Sequence, residues 1–143
     1  MAGAVRAEGL DRHIDELCSR YGVVRETGGR SGRAFQRGRG RARTLHIRIS
    51  PVKGQVTYFV ALHEIGHLVG KGRSGTRLEK EAAAWRWAIE HAIIVPTDAA
   101  RRSMGRRLRS YVSWAELRQH RRRPPVIPPA SSSFWALLAA LEA

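Results

Sequence analysis

The chain reads as an α+β protein, mostly helical, and three observations carry that expectation. Apolar residues recur at helical spacing in several separate stretches, and one short stretch, 44–50, alternates strictly between apolar and polar instead. Gly and Pro fall between these stretches and punctuate them. A length of 143 residues fits one domain, and a hydrophobic share of 43% supports a packed core.

Each element follows from its residues. Glu8 to Tyr21 is expected to be a helix, because Leu10, Ile14, Leu17 and Tyr21 share a face and Gly22 stops it. Val23 and Val24 open a strand. Thr27 to Arg43 holds five Gly and six Arg and almost nothing apolar, which predicts a flexible Arg/Gly loop or a long hairpin tip. Thr44 to Ser50 is a half-buried strand with Leu45, Ile47 and Ile49 on one face and His46, Arg48 and Ser50 on the other. Pro51 ends it, and Gln55 to Val69 follows as a strongly apolar helix. Gly70 to Gly75 is a Gly-rich connection. Thr76 to Ile94 is a second long helix, with Thr76 as cap and Glu79 three residues on as its capping-box partner. Thr97 to Leu108 is helical, and Ser113 caps a further short helix to about Arg121. Pro124, Pro125, Pro128 and Pro129 stiffen a linker, and Ser131 to Leu141 closes the chain as a short helix. The expected organisation is a single domain over 1–123, a Pro-rich linker over 124–130 and a C-terminal helix over 131–143.

Charge and cysteine usage narrow the function classes. One cysteine, Cys18, excludes an internal disulfide and a zinc ribbon. No apolar run reaches the length of a membrane span, and the first ten residues lack a signal-type apolar core, so the expected compartment is the cytoplasm, with no membrane partner. The net charge is +14, and all but three of the 26 cations are Arg. Such a surface attracts nucleic acid or acidic protein, unless it reflects Arg-rich composition alone. Arg102, Arg106 and Arg109 on one helical face, with Arg121, Arg122 and Arg123 beyond, are the candidate polyanion contacts.

One motif carries chemistry. His63-Glu64-Ile65-Gly66-His67 is H-E-x-x-H on the apolar helix. At i and i+4 the two imidazoles stack on one face and can reach one metal ion, while Glu64, about 100° round the helix, reaches a metal-bound water as general base. A catalytic zinc needs a third protein ligand and one open position. The metzincin continuation fails, since Arg73 stands where its third His belongs. Glu79, Glu81 and His91 remain. Two helices joined by a short Gly-rich loop pack antiparallel, which brings Glu79 and Glu81 near His67 and leaves His91 roughly three turns further along.

ALHEIGHLVG, followed by Glu79-Lys80-Glu81-Ala82-Ala83-Ala84-Trp85 and an apolar run to Pro96, resembles the ImmA/IrrE family of zinc metalloproteases over about Thr44 to Pro96. The family pattern is HE-[LI]-GH, then E-x-x-A-N-x-F-A. The resemblance implies a minimal zincin fold with a small sheet beside the H-E-x-x-H helix and a C-terminal helical extension. It implies zinc held by His63, His67 and Glu79; Glu81 and His91 stay open as alternative ligands from spacing alone. Ala83 then stands where the family has Asn, and Arg86 where it has Ala. Family members are cytoplasmic, often phage- or mobile-element-borne, and cleave helix-turn-helix repressors. The resemblance also implies that the strand 44–50 lies at the cleft as an edge strand, where His46 or Arg48 on its polar face either touches substrate or simply faces solvent. Tyr58, on the zinc helix, reads as a core aromatic. The expected function is a zinc endopeptidase acting on one protein substrate. The alternative is a catalytically silent scaffold that binds nucleic acid or an acidic partner through its arginines.

Overall fold

Helix α2 (Gln55–Val69) is the centre of the fold in a computed structural model that describes residues 6–29, 31–70 and 75–143. Every residue from Tyr58 to Gly66 is buried, with Tyr58, Ala61, Leu62 and Ile65 fully so, and other helices and strands pack around this stretch of α2. Its first turn is tied down by Thr57, whose hydroxyl accepts from the backbone N–H of Gly54 at 3.3 Å and of Lys53 at 3.0 Å.

The other elements clothe α2. Helix α1 (Ala7–Tyr21) buries Leu10, Ile14, Leu17 and Cys18, and ends on Gly22 in the left-handed region at φ 65°. Strands β1 (Val23–Thr27), β2 (Arg33–Arg37) and β3 (Thr44–Ile49) form a sheet in the order β1-β3-β2, with β1 parallel and β2 antiparallel to β3. The alternation of β3 holds for its apolar face, where Leu45 is half-buried, but His46 on the polar face is buried too, beneath Phe35. Ile47 and Ile49 are buried in the core, while Thr44, His46 and Arg48 share the opposite face with Arg33, Phe35, Arg37 and Glu26 through the registers Phe35↔His46, Arg33↔Arg48 and Glu26↔Arg48.

Helix α3 (Arg77–His91) begins at the Thr76 cap, whose hydroxyl accepts from the Glu79 N–H at 3.4 Å, and packs along α2. Helix α4 (Asp98–Glu116) is one continuous helix where two were expected. Ser113 lies inside it, because the buried stripe Ala100, Met104, Leu108, Val112 and Ala115 runs on without a break. Helix α5 (Ser133–Glu142) follows the proline segment and lies back on α4 and α3, burying Phe134, Leu138 and Leu141.

Of the two expectations for 27–43, the structure takes the hairpin and not the featureless loop: the segment contributes β2, antiparallel to β3, and a single 3-10 turn, Gly40–Ala42, at the tip, while residue 30 lies outside the described residues. The strand 44–50 is the central strand of the sheet, not an edge; β1 and β2 are the edges, and β2 is the one at the cleft. The chain's composition hid β2, whose stability comes from pairing with β3 and not from its own Arg- and Gly-rich neighbourhood. Of the Gly70–Gly75 connection, residues 71–74 lie outside the described residues.

Candidate metal centre

Three side chains converge where α2 and α3 face each other. His63 Nε2 lies 2.8 Å from Glu81 Oε2, and His67 Nε2 lies 3.1 Å from the same oxygen. Their ligand atoms all fall within 4.8 Å of one another. His63 and Glu81 are buried, while His67 is half-buried and opens onto a cleft.

Sequence sets this geometry locally. The i, i+4 spacing places the rings of His63 and His67 at a centroid separation of 4.4 Å. Gly66, between them, lets α3 come close. A Cβ there would stand 3.0 Å from the Ala84 carbonyl oxygen and 3.2 Å from Trp87 Cβ. Glu81 sits on the buried stripe of α3 that runs through Leu78, Ala82 and Trp85.

Glu79 is therefore not the third member. It occupies the first turn of α3, with its carboxylate back beside Gly75, where a Cβ would be 3.1 Å from Oε2. Two residues along a helix is a rotation of about 200°, so Glu79 and Glu81 face opposite ways. His91 is also elsewhere: its Nδ1 bonds the Trp87 carbonyl at 2.8 Å and its ring stacks on Trp87. The E-x-x-A pattern read from Glu81 would have revealed the difference. Glu81, Ala84, Trp87 and Ala88 then occupy its Glu, Ala, aromatic and final Ala places, and Trp85 occupies the Asn place. Trp85 stacks on His63 with centroids 4.0 Å apart. Ala83 and Arg86 belong to another face of α3, where Arg86 donates to Ser133 Oγ.

Burial alone would favour neutral forms here. It pulls the His63 imidazole down, but contacts with Glu64 and Glu81 outweigh it and hold the pKa above its ordinary value. Burial likewise raises Glu81, yet hydrogen bonds from His63 and His67 prevail and hold it at about 2. Glu64 Oε1 lies 3.1 Å from His63 Nδ1. With both ring nitrogens protonated, His63 donates from Nδ1 to Glu64 and from Nε2 to Glu81; a metal ion would take the place of the Nε2 proton and leave Nδ1–H held by Glu64, the tautomer that metal binding requires. Two imidazole nitrogens and a carboxylate oxygen are a donor set that suits zinc.

The cleft has a volume of about 480 Å³ and is lined by β2 and by Arg77 and Tyr111, beside His63, Glu64 and His67. Gly32 enters it at φ 77°, so close to α2 that a Cβ would meet Val60 Cγ1 at 2.9 Å and Glu64 Cγ at 3.1 Å. Tyr111 was hidden by the expectation that its helix stops at Leu108. Its hydroxyl is raised in pKa by burial and then by Glu81, and is opposed by Arg77. The Arg77 guanidinium lies over the rings of Tyr111 and Trp114 at 5.6 and 5.1 Å. Tyr58 is fully buried, accepts from the Ile93 N–H at 3.0 Å and bonds His13 Nδ1 at 2.7 Å, so it belongs to the core as expected.

The other sequence candidates scatter. His46 is buried under Phe35 on the far face of the sheet, with Nε2 on Thr44 Oγ1 at 2.7 Å, and Arg48 pairs with Glu26 at 3.2 Å. Neither lines the cleft. Arg102, Arg106, Arg121, Arg122 and Arg123 are exposed. Arg109 is instead joined to Glu142 through two hydrogen bonds of 2.6 and 3.0 Å. No described helix is long and apolar enough to cross a membrane. Comparison with protein families, with curated proteins and with solved structures finds no match for this chain.

Proposed function

We propose that the protein is a zinc-dependent endopeptidase acting on a specific protein substrate in the cytoplasm. The observation that carries this reading is the convergence of His63 Nε2 and His67 Nε2 on one Glu81 oxygen, beside Glu64 and at the floor of a cleft. When bound, zinc supplies a Lewis acid that polarises the scissile carbonyl and makes water a nucleophile near neutral pH.

The chain's own residues do the rest. Glu64 orients His63 through Nδ1 and is the carboxylate that takes the proton from the attacking water and returns it to the leaving amide nitrogen. Trp85 holds the His63 ring flat from the other side. Tyr111 is the hydroxyl donor lining the cleft, and we assign it to the oxygen that becomes negative as the carbonyl is attacked. A helix-turn-helix repressor as the substrate follows from the family resemblance alone.

Elemental analysis of protein purified without a metal-affinity tag tests the centre. About one zinc per chain is expected in wild type, Glu64→Gln and Glu79→Ala, and none in Glu81→Ala. Glu64→Gln is expected to lose cleavage while keeping its metal. No zinc in wild type after adding it back, or full cleavage by Glu64→Gln, overturns the reading. The silent-scaffold alternative draws on the exposed Arg102, Arg106 and Arg121 to Arg123. Tight DNA binding with a steep salt slope, unchanged in Glu64→Gln and without cleavage, would favour it.

A further inference from the structure

The sheet ends in an edge at the cleft. The order β1-β3-β2 leaves one side of β2 unpaired among the described residues, and Gly32 to Gln36 line the same cleft as His63, Glu64 and His67. An edge of this kind offers a row of backbone donors and acceptors to an extended peptide.

The side chains of that edge are not neutral. Alternation puts Arg33, Phe35 and Arg37 on one face, and β3 adds Arg48 through its pairing with Arg33. The three guanidinium groups lie over the Phe35 ring at 5.2, 5.2 and 5.5 Å. Such stacking holds planar cations in fixed orientations and lowers the entropy lost when they bind a carboxylate. One carboxylate, Glu26, faces them, at 3.2 Å from Arg48 and 3.7 Å from Arg37. Arg33 has no carboxylate partner among the described residues. Arg77 adds a further cation to the lining of the cleft.

We propose that the β2 edge binds an extended peptide bearing acidic side chains at alternate positions, which sit opposite Arg33 and Arg37, and that this is the substrate class of the cleft. Cross-strand neighbours stand about 4.5–5.5 Å apart at Cβ, within reach of a Glu–Arg pair. The Arg33, Phe35, Arg37 repeat of two residues matches the repeat of a strand and fixes the spacing of the acids. A nucleic acid fits less well. Phe35 is the one aromatic residue of β2, and its ring is taken by arginines and by His46, stacked at 5.1 Å and 9°. No ring of β2 is left for a base. The inference rests on the peptidase reading, so binding and cutting are measured apart.

The test uses zinc-loaded Glu64→Gln protein and three short fluorescein-labelled peptides, alike except for Glu, Gln or Lys at two positions separated by one residue. Fluorescence anisotropy reads the affinity. The Glu peptide is expected to bind about tenfold tighter than the Gln peptide, with Lys weakest. The preference shrinks several-fold at about 0.5 M salt. Arg33→Gln with Arg37→Gln abolishes it, whereas Arg102→Gln with Arg106→Gln leaves it intact. Equal binding of the three peptides, no binding of any, or a preference that survives the Arg33/Arg37 change overturns the proposal. So does displacement by oligothymidylate at lower concentration than the Glu peptide, dependent on the same two arginines. Binding with the stated preference but no cutting by zinc-loaded wild type would retain the acidic-strand site and overturn the peptidase reading instead.

Discussion

The seam between α2 and α3 and the surface around α4 and α5 both carry ionisable groups, but use them in opposite ways. In the seam, His63, Glu64 and Glu81 are each only 7% exposed and answer one another at hydrogen-bond distance. Burying such groups is unfavourable unless they are paired or hold a metal, so their presence points to chemistry. Around α4 and α5 the arginines are exposed or half-exposed and close the ends of helices. Arg101 donates to the carbonyl oxygens of Ala140, Leu141 and Ala143, and Arg109 clasps Glu142. Arg118 lies over Trp114 and donates to its carbonyl. A large positive charge is thus partly structural. A few buried polar groups say more about function than many exposed ones.

The largest expected effect separates two carboxylates in the seam. Glu81→Ala removes the oxygen shared by both histidines and is expected to weaken zinc binding by more than about 100-fold, beyond what loss of an outer-shell partner does. Glu79→Ala is expected to leave it unchanged. Competition with a chromogenic chelator measures both. Equal losses would place Glu79 at the centre and break the contrast.

How much of this was legible follows from which distances are local. His63, Glu64 and His67 are fixed by one helix, and the motif states its own geometry. The third member depends on how α3 rotates against α2, and two residues of register turn a side chain to the opposite face. The stripe Leu78, Ala82 and Trp85 contained that information, since Glu81 lies on it and Glu79 does not. Thr44 to Ile49 was legible as a strand because alternation is local, whereas its central place in the sheet required β2. Arg33 to Arg37 form a strand only by pairing with β3 across the turn at 38–43, since their own composition carries no strand signal. Tyr111 was lost because an inner Ser113 resembled a helix cap, although the stripe Leu108, Val112 and Ala115 continued past it.

On the α4–α5 side the largest effect comes from packing and not from charge. Phe134 is 1% exposed in the core, and Phe134→Ala is expected to destabilise the protein by about 3–5 kcal/mol, read from urea unfolding. A loss under about 1 kcal/mol would mean that α5 is held by its arginine contacts instead. In the seam, Gly66→Ala brings a Cβ to 3.0 Å from the Ala84 carbonyl oxygen. It is expected to destabilise by about 1–3 kcal/mol and to weaken zinc binding at the same time, because α3 must move away. Destabilisation without any change in metal affinity would uncouple the helix approach from the centre.

The smallest effect tests the surface arginines themselves. The Arg109–Glu142 pair has ideal two-point geometry, at 2.6 and 3.0 Å, but its side chains are 48% and 37% exposed. Water and salt screen it, so Arg109→Gln is expected to lower stability by no more than about 0.5 kcal/mol at low salt, vanishing at about 1 M. The hydrogen bond from Arg109 lowers the Glu142 pKa below its ordinary value. The pair's contribution is therefore complete above the unfolded carboxylate pKa and is lost as pH falls through the lowered folded value. Paired unfolding curves of wild type and variant at neutral and acidic pH read this directly. A penalty that persists in high salt or below both pKa values would show that Arg109 acts through its aliphatic stem against α5, and that even this exposed arginine is a packing residue.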